Sequence, residues 1–201
     1  MAKIKICGLT RKEDIDAVNF ALPDYIGFVF AKSRRQVDEH KAMALKSHLN
    51  PAIKAVGVFV NEDIEKIIRL CKSQIIDVIQ LHGDENKEYI NTLKSSVPNQ
   101  IIKAIRIKDH QDLKTDYPCD FLLFDAFHPG QYGGTGKTFD WSIISNVKKP
   151  YFLAGGISLE NILKVIEQYN PYCIDVSSGV ETNGYKDPQK ILDIVSLARL
   201  L

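Results

Sequence analysis

The feature that most constrains this chain is an alternation: eight times along its 201 residues a short β-prone run gives way to a polar segment. The runs are KIKIC (3–7), YIGFVF (25–30), AVGVFV (55–60), DVIQLH (77–82), IIKAIR (101–106), FLLFD (121–125), YFLAGG (151–156) and CIDVSS (173–178). Between them lie segments of helical periodicity such as NEDIEKIIRLCKS, DENKEYINTLKSS, SLENILKVIEQYN and DPQKILDIVSLARLL. Strands alternating with helices imply right-handed βαβ units and a parallel sheet, and eight units can close that sheet into a barrel. The expectation is an α/β protein, a (βα)8 TIM barrel forming a single domain over residues 1–201. Each unit has about 25 residues, at the compact end for such barrels. The fifth is the weakest: KDHQDLKTDYPCD is short and runs into Pro118, so a vestigial fifth helix is expected there.

A doubly wound sheet is the rival architecture. It usually has fewer strands, and its phosphate loop usually follows the first of them. Here the first loop, CGLTRKED, holds one glycine, whereas the glycine-rich turns follow the seventh and eighth runs. Phosphate sites of barrels commonly lie at that position, which favours the barrel.

With 45% hydrophobic and 25% charged residues the chain can bury a substantial core. Its net charge of +1 provides no field to gather nucleic acid or an anionic membrane, so any basic site must be local. The N-terminus has no apolar signal region, and no window reaches the ~18 apolar residues needed to span a bilayer. A cytoplasmic protein with no membrane partner is the expectation. Cys7, Cys71, Cys119 and Cys173 stand far apart, with neither a C-x-x-C pair nor a histidine at ligand spacing. This argues against a disulfide scaffold and against structural zinc. Cys71, Cys119 and Cys173 read as buried, inert thiols. The C-terminal SLARLL fits equally well over the barrel or against a partner subunit, so both a monomer and a homodimer stay open.

The C-terminal ends of barrel strands converge on one mouth, so strand-terminal polar residues carry most weight. They are Cys7, Arg35 in the loop after the second strand, His82, Arg106 and Asp125, followed by Gly155-Gly156 and Ser177-Ser178-Gly179. AGGIS lets backbone approach a ligand closely and leads to a helix start expected at Ser158, while SSGVE adds another glycine and two hydroxyls. Side by side, these turns would make a cradle for a phosphate dianion; the bland alternative is two tight turns that need glycine for backbone reasons. Cys7 fits either a core-filling thiol or a base whose thiolate a neighbouring cation would favour. Asp125 fits either a loop cap or an acid kept protonated in a partly apolar mouth. Arg35, in KSRRQV, can pair bidentately with a carboxylate, though basic loops are often simply solvated. Lys103 suits a Schiff-base nucleophile or an internal ion pair, and His82 reads as a satisfied, hydrogen-bonded residue.

Taken in order, KICGLT, GFVF followed by KSRRQV, GVFVN, IQLHGDE, IKAIR, FDAFHPGQYGGTGKTFDW, LAGGI and DVSSGVE resemble the phosphoribosylanthranilate isomerase family of tryptophan biosynthesis over essentially the whole chain. AGGI alone is common among phosphate-binding barrels; KICGLT together with GGTGKTFDW is specific. The resemblance implies Cys7 as general base, Asp125 as general acid and Arg35 as the holder of an anthranilate carboxylate, with Arg34 its adjacent rival. It implies N-(5'-phosphoribosyl)anthranilate as substrate and an Amadori rearrangement to 1-(2-carboxyphenylamino)-1-deoxyribulose 5-phosphate. No metal or organic cofactor is implied, since the substrate's own nitrogen serves as electron sink. Related barrels of the histidine pathway generally carry Asp where this chain has Cys7, which argues against a dual-substrate enzyme. The competing readings are another phosphosugar isomerase or lyase, and a non-catalytic phosphosugar-binding barrel.

Overall fold

The computed structural model describes residues 2–113, 115–126, 141–144 and 147–200. Eight parallel strands close into a barrel in chain order. They are β1 (Lys3–Cys7), β2 (Tyr25–Val29), β3 (Lys54–Phe59), β4 (Val78–Leu81), β5 (Gln100–Ile107), β6 (Phe121–Ala126), β7 (Tyr151–Leu153) and β8 (Cys173–Val176). The β8–β1 pairing that seals the ring runs from Lys3↔Cys173 to Ile6↔Val176. Among the described residues six α-helices surround it: α1 (Lys12–Ala21), α2 (Glu39–Lys46), α3 (Ile64–Lys72), α4 (Lys87–Ser96), α5 (Ile162–Tyr169) and α6 (Pro188–Ala198). A small antiparallel hairpin, β9 (Glu181–Thr182) with β10 (Tyr185–Lys186), is set between β8 and α6.

Local chemistry explains the helix starts. Asp187 caps α6 by accepting from the Gln189 and Lys190 amides at 3.0 and 3.3 Å, with Pro188 at the position where its missing N–H costs nothing. Asn86 caps α4 in the same way, through the Tyr89 amide at 2.9 Å. After β5 the described residues hold only a single 3₁₀ turn, His110–Asp112, in keeping with the vestigial fifth helix expected before Pro118. Among the described residues the sixth unit also holds only a 3₁₀ turn, Trp141–Ile144. Residues 127–140, most of the FDAFHPGQYGGTGKTFDW motif, lie outside the described residues.

The strand period of two sorts each run into an inner and an outer face. Ile4 and Ile6 join the layer between barrel and helices, while Tyr25, Val56, Val78, Ile102, Leu123 and Phe152 form a separate cluster inside the ring. Each such side chain contributes about 1.5–3 kcal/mol on burial. That apolar plug fills the barrel below its mouth, so the polar residues farther along the same strands are confined to the C-terminal face.

Candidate active site

Cys7 ends β1 opposite Gly27 of β2, and a side chain at Gly27 would stand 2.7 Å from the Cys7 sulfur. Glycine there makes room for the thiol. The chain then turns at Gly8, whose φ of 84° disfavours any side chain, and the Arg35 side chain passes over the space a Cβ would need. On the far side, Asp125 lies near the end of β6, opposite Arg106 of β5. Cys7 and Asp125 both line one cavity of about 760 Å³ at the barrel mouth, as do Arg35, Gly155, Gly156, Ser177 and Ser178.

Gly155 and Gly156 have φ of 86° and 67°, and a Cβ on Gly155 would come within 3.2 Å of the Asp125 carboxylate. Gly179 does not line the cavity. It lies against the Ile157 carbonyl, where a Cβ has no space, so the AGGI and SSGV turns touch each other. Among the described residues the amides of Gly156 and Ser178 have no partner within the chain. The helix expected at Ser158 starts later, at Ile162. The cause is Asn161, whose Oδ1 accepts from the Ser158 amide at 2.9 Å while its Nδ2 donates to the Gly156 carbonyl at 2.9 Å. A side-chain strap, rather than a helix end, shapes this turn.

Arg35 is already engaged. Its Nε and one terminal nitrogen donate to the two oxygens of Glu181 at 2.7 and 3.0 Å, so the bidentate face expected for a ligand is taken by the chain's own carboxylate. The other terminal nitrogen has no partner among the described residues. Arg34 also reaches Glu181, and Lys186 binds it at 2.9 Å. Burial alone would raise the Glu181 pKa, but Arg35 and Lys186 overcome it and bring it down to about 2.

Beneath the thiol lies a second buried network. Lys5, fully buried, pairs with Asp175 at 2.8 Å. Burial opposes its charge, yet Asp175 outweighs that and holds the ammonium above the ordinary lysine pKa. Burial is also the main influence on Cys7 and raises its pKa; Asp175 adds to this, while Lys5 and Lys186 pull the other way without cancelling it. The cation expected beside the thiol is therefore present, but the free thiol stays above its ordinary value. Cys71, Cys119 and Cys173 are buried and unpaired, and burial pushes Cys71 up to about 12.

Lys103 lies outside the cavity. Its neighbours Ile102 and Ala104 face the barrel interior, so Lys103 faces outward, held by Glu85 and the Gly83 carbonyl, each at 2.7 Å. The ion-pair alternative is the one observed. Arg106 pairs with Asp84 at 2.8 Å and is not a lining residue, whereas His82 is one. The sequence reading missed Lys5, Asp175, Glu181 and Lys186. A signal existed for Lys5, since alternation in KIKIC puts Lys3, Lys5 and Cys7 on one face. Among the described residues no group of three or more His, Cys, Asp or Glu side chains is placed to hold a metal, and no helix is long and apolar enough to cross a membrane.

A closed parallel barrel, glycine-rich turns after β7 and β8, and a thiol and a carboxyl lining one cavity at its mouth define the class: an enzyme built on a TIM barrel. A family model for N-(5'-phosphoribosyl)anthranilate (PRA) isomerase matches residues 4–196. The chain belongs to this isomerase family. It is 47% identical over 201 residues to the N-(5'-phosphoribosyl)anthranilate isomerase of Endomicrobium trichonymphae, covering 100% of both chains. The crystal structure of phosphoribosyl anthranilate isomerase from Thermotoga maritima superposes with a TM-score of 0.88 at 33% identity, over 100% of both chains. Another solved phosphoribosyl anthranilate isomerase, in complex with reduced 1-(o-carboxyphenylamino)-1-deoxyribulose 5-phosphate, gives 0.85 at 31% identity, again over 100% of each.

Proposed function

We propose that this chain converts N-(5'-phosphoribosyl)anthranilate to 1-(2-carboxyphenylamino)-1-deoxyribulose 5-phosphate in tryptophan biosynthesis, with Asp125 as acid and Cys7 as base. Asp125 gives its proton to the furanose ring oxygen as the C1'–O bond breaks, and the substrate nitrogen closes a Schiff base to C1'. Cys7 then takes the proton from C2', and its electron pair moves into the enolamine, which tautomerises to the aminoketose. Lys5 and Lys186 ease ionisation of the thiol. The phosphate sits on the AGGI and SSGV turns, through Gly155, Gly156, Ser177 and Ser178 with Gly179 holding the two together. Glu181 fixes the Arg35 fork so that its remaining terminal nitrogen meets the anthranilate carboxylate.

The observation that carries this reading is that Cys7, Asp125, Arg35 and both glycine turns share one cavity although they come from five different strand ends. We also take residues 1–201 as one domain working in the cytoplasm, in keeping with four cysteines that form no disulfide. The test is rescue of a tryptophan auxotroph lacking only this isomerase. The unaltered chain should restore growth, and Asp125→Asn should not; failure of the unaltered chain, expressed and folded, would refute the reading.

A further inference from the structure

Two buried side chains at the mouth have no part in the roles assigned above. Gln80 and His82 lie two residues apart on and just beyond β4, 1% and 7% exposed, and both line the cavity. Gln80 Nε2 is 3.0 Å from His82 Nδ1. An amide nitrogen only donates, so Nδ1 accepts, and the neutral ring must then carry its proton on Nε2. That Nε2 stands 3.3 Å from Asp125 Oδ2. The two atoms are close, but the alignment falls short of a hydrogen bond, and Nε2 has no aligned partner among the described residues. The other Asp125 oxygen, Oδ1, accepts from the Ala126 amide at 2.9 Å.

A buried donor left without an aligned partner costs about 1–3 kcal/mol. Such a contact is commonly loose in a free enzyme and tightens in the reacting complex. The partner available to Nε2–H here is the oxygen on which charge develops when Asp125 loses its proton.

We infer that His82 is a positioning residue for the proton donor: Gln80 fixes its tautomer, and its Nε2–H steadies the carboxylate that Asp125 becomes as the sugar ring opens. The inference rests on the assignment of Asp125 as acid. No proton leaves His82. The Asp125 proton goes to the ring oxygen, the electron pair of the breaking C1'–O bond goes to that same oxygen, and the imidazole donates a hydrogen bond throughout. The effect belongs to the transition state, so it appears in kcat more than in KM.

The test combines ¹⁵N-histidine NMR of the whole protein, with the His82 signal assigned by its loss in His82→Leu, and steady-state kinetics. The wild type should show the Nε2–H tautomer. Gln80→Glu offers Nδ1 only acceptors, so it should switch the ring to Nδ1–H and lower kcat about tenfold or more while KM moves less than about twofold. His82→Leu should lose at least as much, and His82→Gln, which keeps an N–H donor, should recover part of it. An Nδ1–H tautomer in the wild type would overturn the inference without any variant having to fold. So would a tautomer switch in Gln80→Glu at unchanged kcat, or a His82→Leu enzyme as fast as wild type. Asp125→Asn separates the two levels: if it retains full turnover, the acid assignment itself fails, and if it is inactive while the His82 variants are not, only the present inference fails.

Discussion

The Cys7 thiol, proposed above as the base in its thiolate form, is held in a place that resists its ionisation. Burial dominates at Cys7, and the opposing pull of Lys5 and Lys186 is partly undone by Asp175. The sign is definite: raising the pKa of an acidic group leaves it protonated to higher pH. Alkylation of native protein by iodoacetamide, followed at Cys7 by mass spectrometry, should therefore rise with pH through a midpoint above the ~8.5 of a free cysteine. A midpoint near or below 7 would contradict this account of the pocket. Buried Cys71, Cys119 and Cys173 should stay unlabelled over the same range.

Among the elements, the loop after β7 depends on one side chain. Asn161 bridges the Ser158 amide and the Gly156 carbonyl, so Asn161→Ala frees both groups while leaving the glycines in place. Inorganic phosphate should then compete with substrate several-fold more weakly, at a stability cost of about 1 kcal/mol, which inhibition kinetics and urea unfolding would measure. Unchanged phosphate inhibition would remove the turn from the anion site. Gly156→Val is a poorer probe, since φ of 67° strains any side chain there whether or not an anion binds. This loop also marks where sequence reading stops. The strands, their order and the weak fifth unit follow from period and from Pro118, because those signals are local. The start of α5 does not: Ser158 reads as the helix start in the sequence, and only the three-dimensional position of the Gly156 carbonyl and the Ser158 amide turns the Asn161 side chain back onto the loop and delays the helix. Likewise SSGVE shows its glycine and hydroxyls in the sequence, but that Glu181 would take the Arg35 fork depends on two segments 146 positions apart.

At the scale of the whole barrel, an apolar plug below and a charged layer above divide stability from chemistry. Lys5 and Asp175 sit at that boundary, and their burial means that breaking the pair costs more than forming it gains. Lys5→Met should destabilise the protein by about 3–5 kcal/mol by leaving Asp175 buried alone, and the double variant Lys5→Met/Asp175→Leu should recover most of that in urea unfolding. A double variant no more stable than the single would mean that the layer is held by something other than this pair. The central claim is that the barrel brings Cys7 and Asp125 to one mouth to move protons, and one comparison tests it most directly: kcat and KM for N-(5'-phosphoribosyl)anthranilate in Cys7→Ala against Cys71→Ala. The account predicts a loss in kcat of about 10²–10⁴ for Cys7→Ala with little change in KM, and near wild-type turnover for Cys71→Ala. Equal kcat values in the two variants would contradict it.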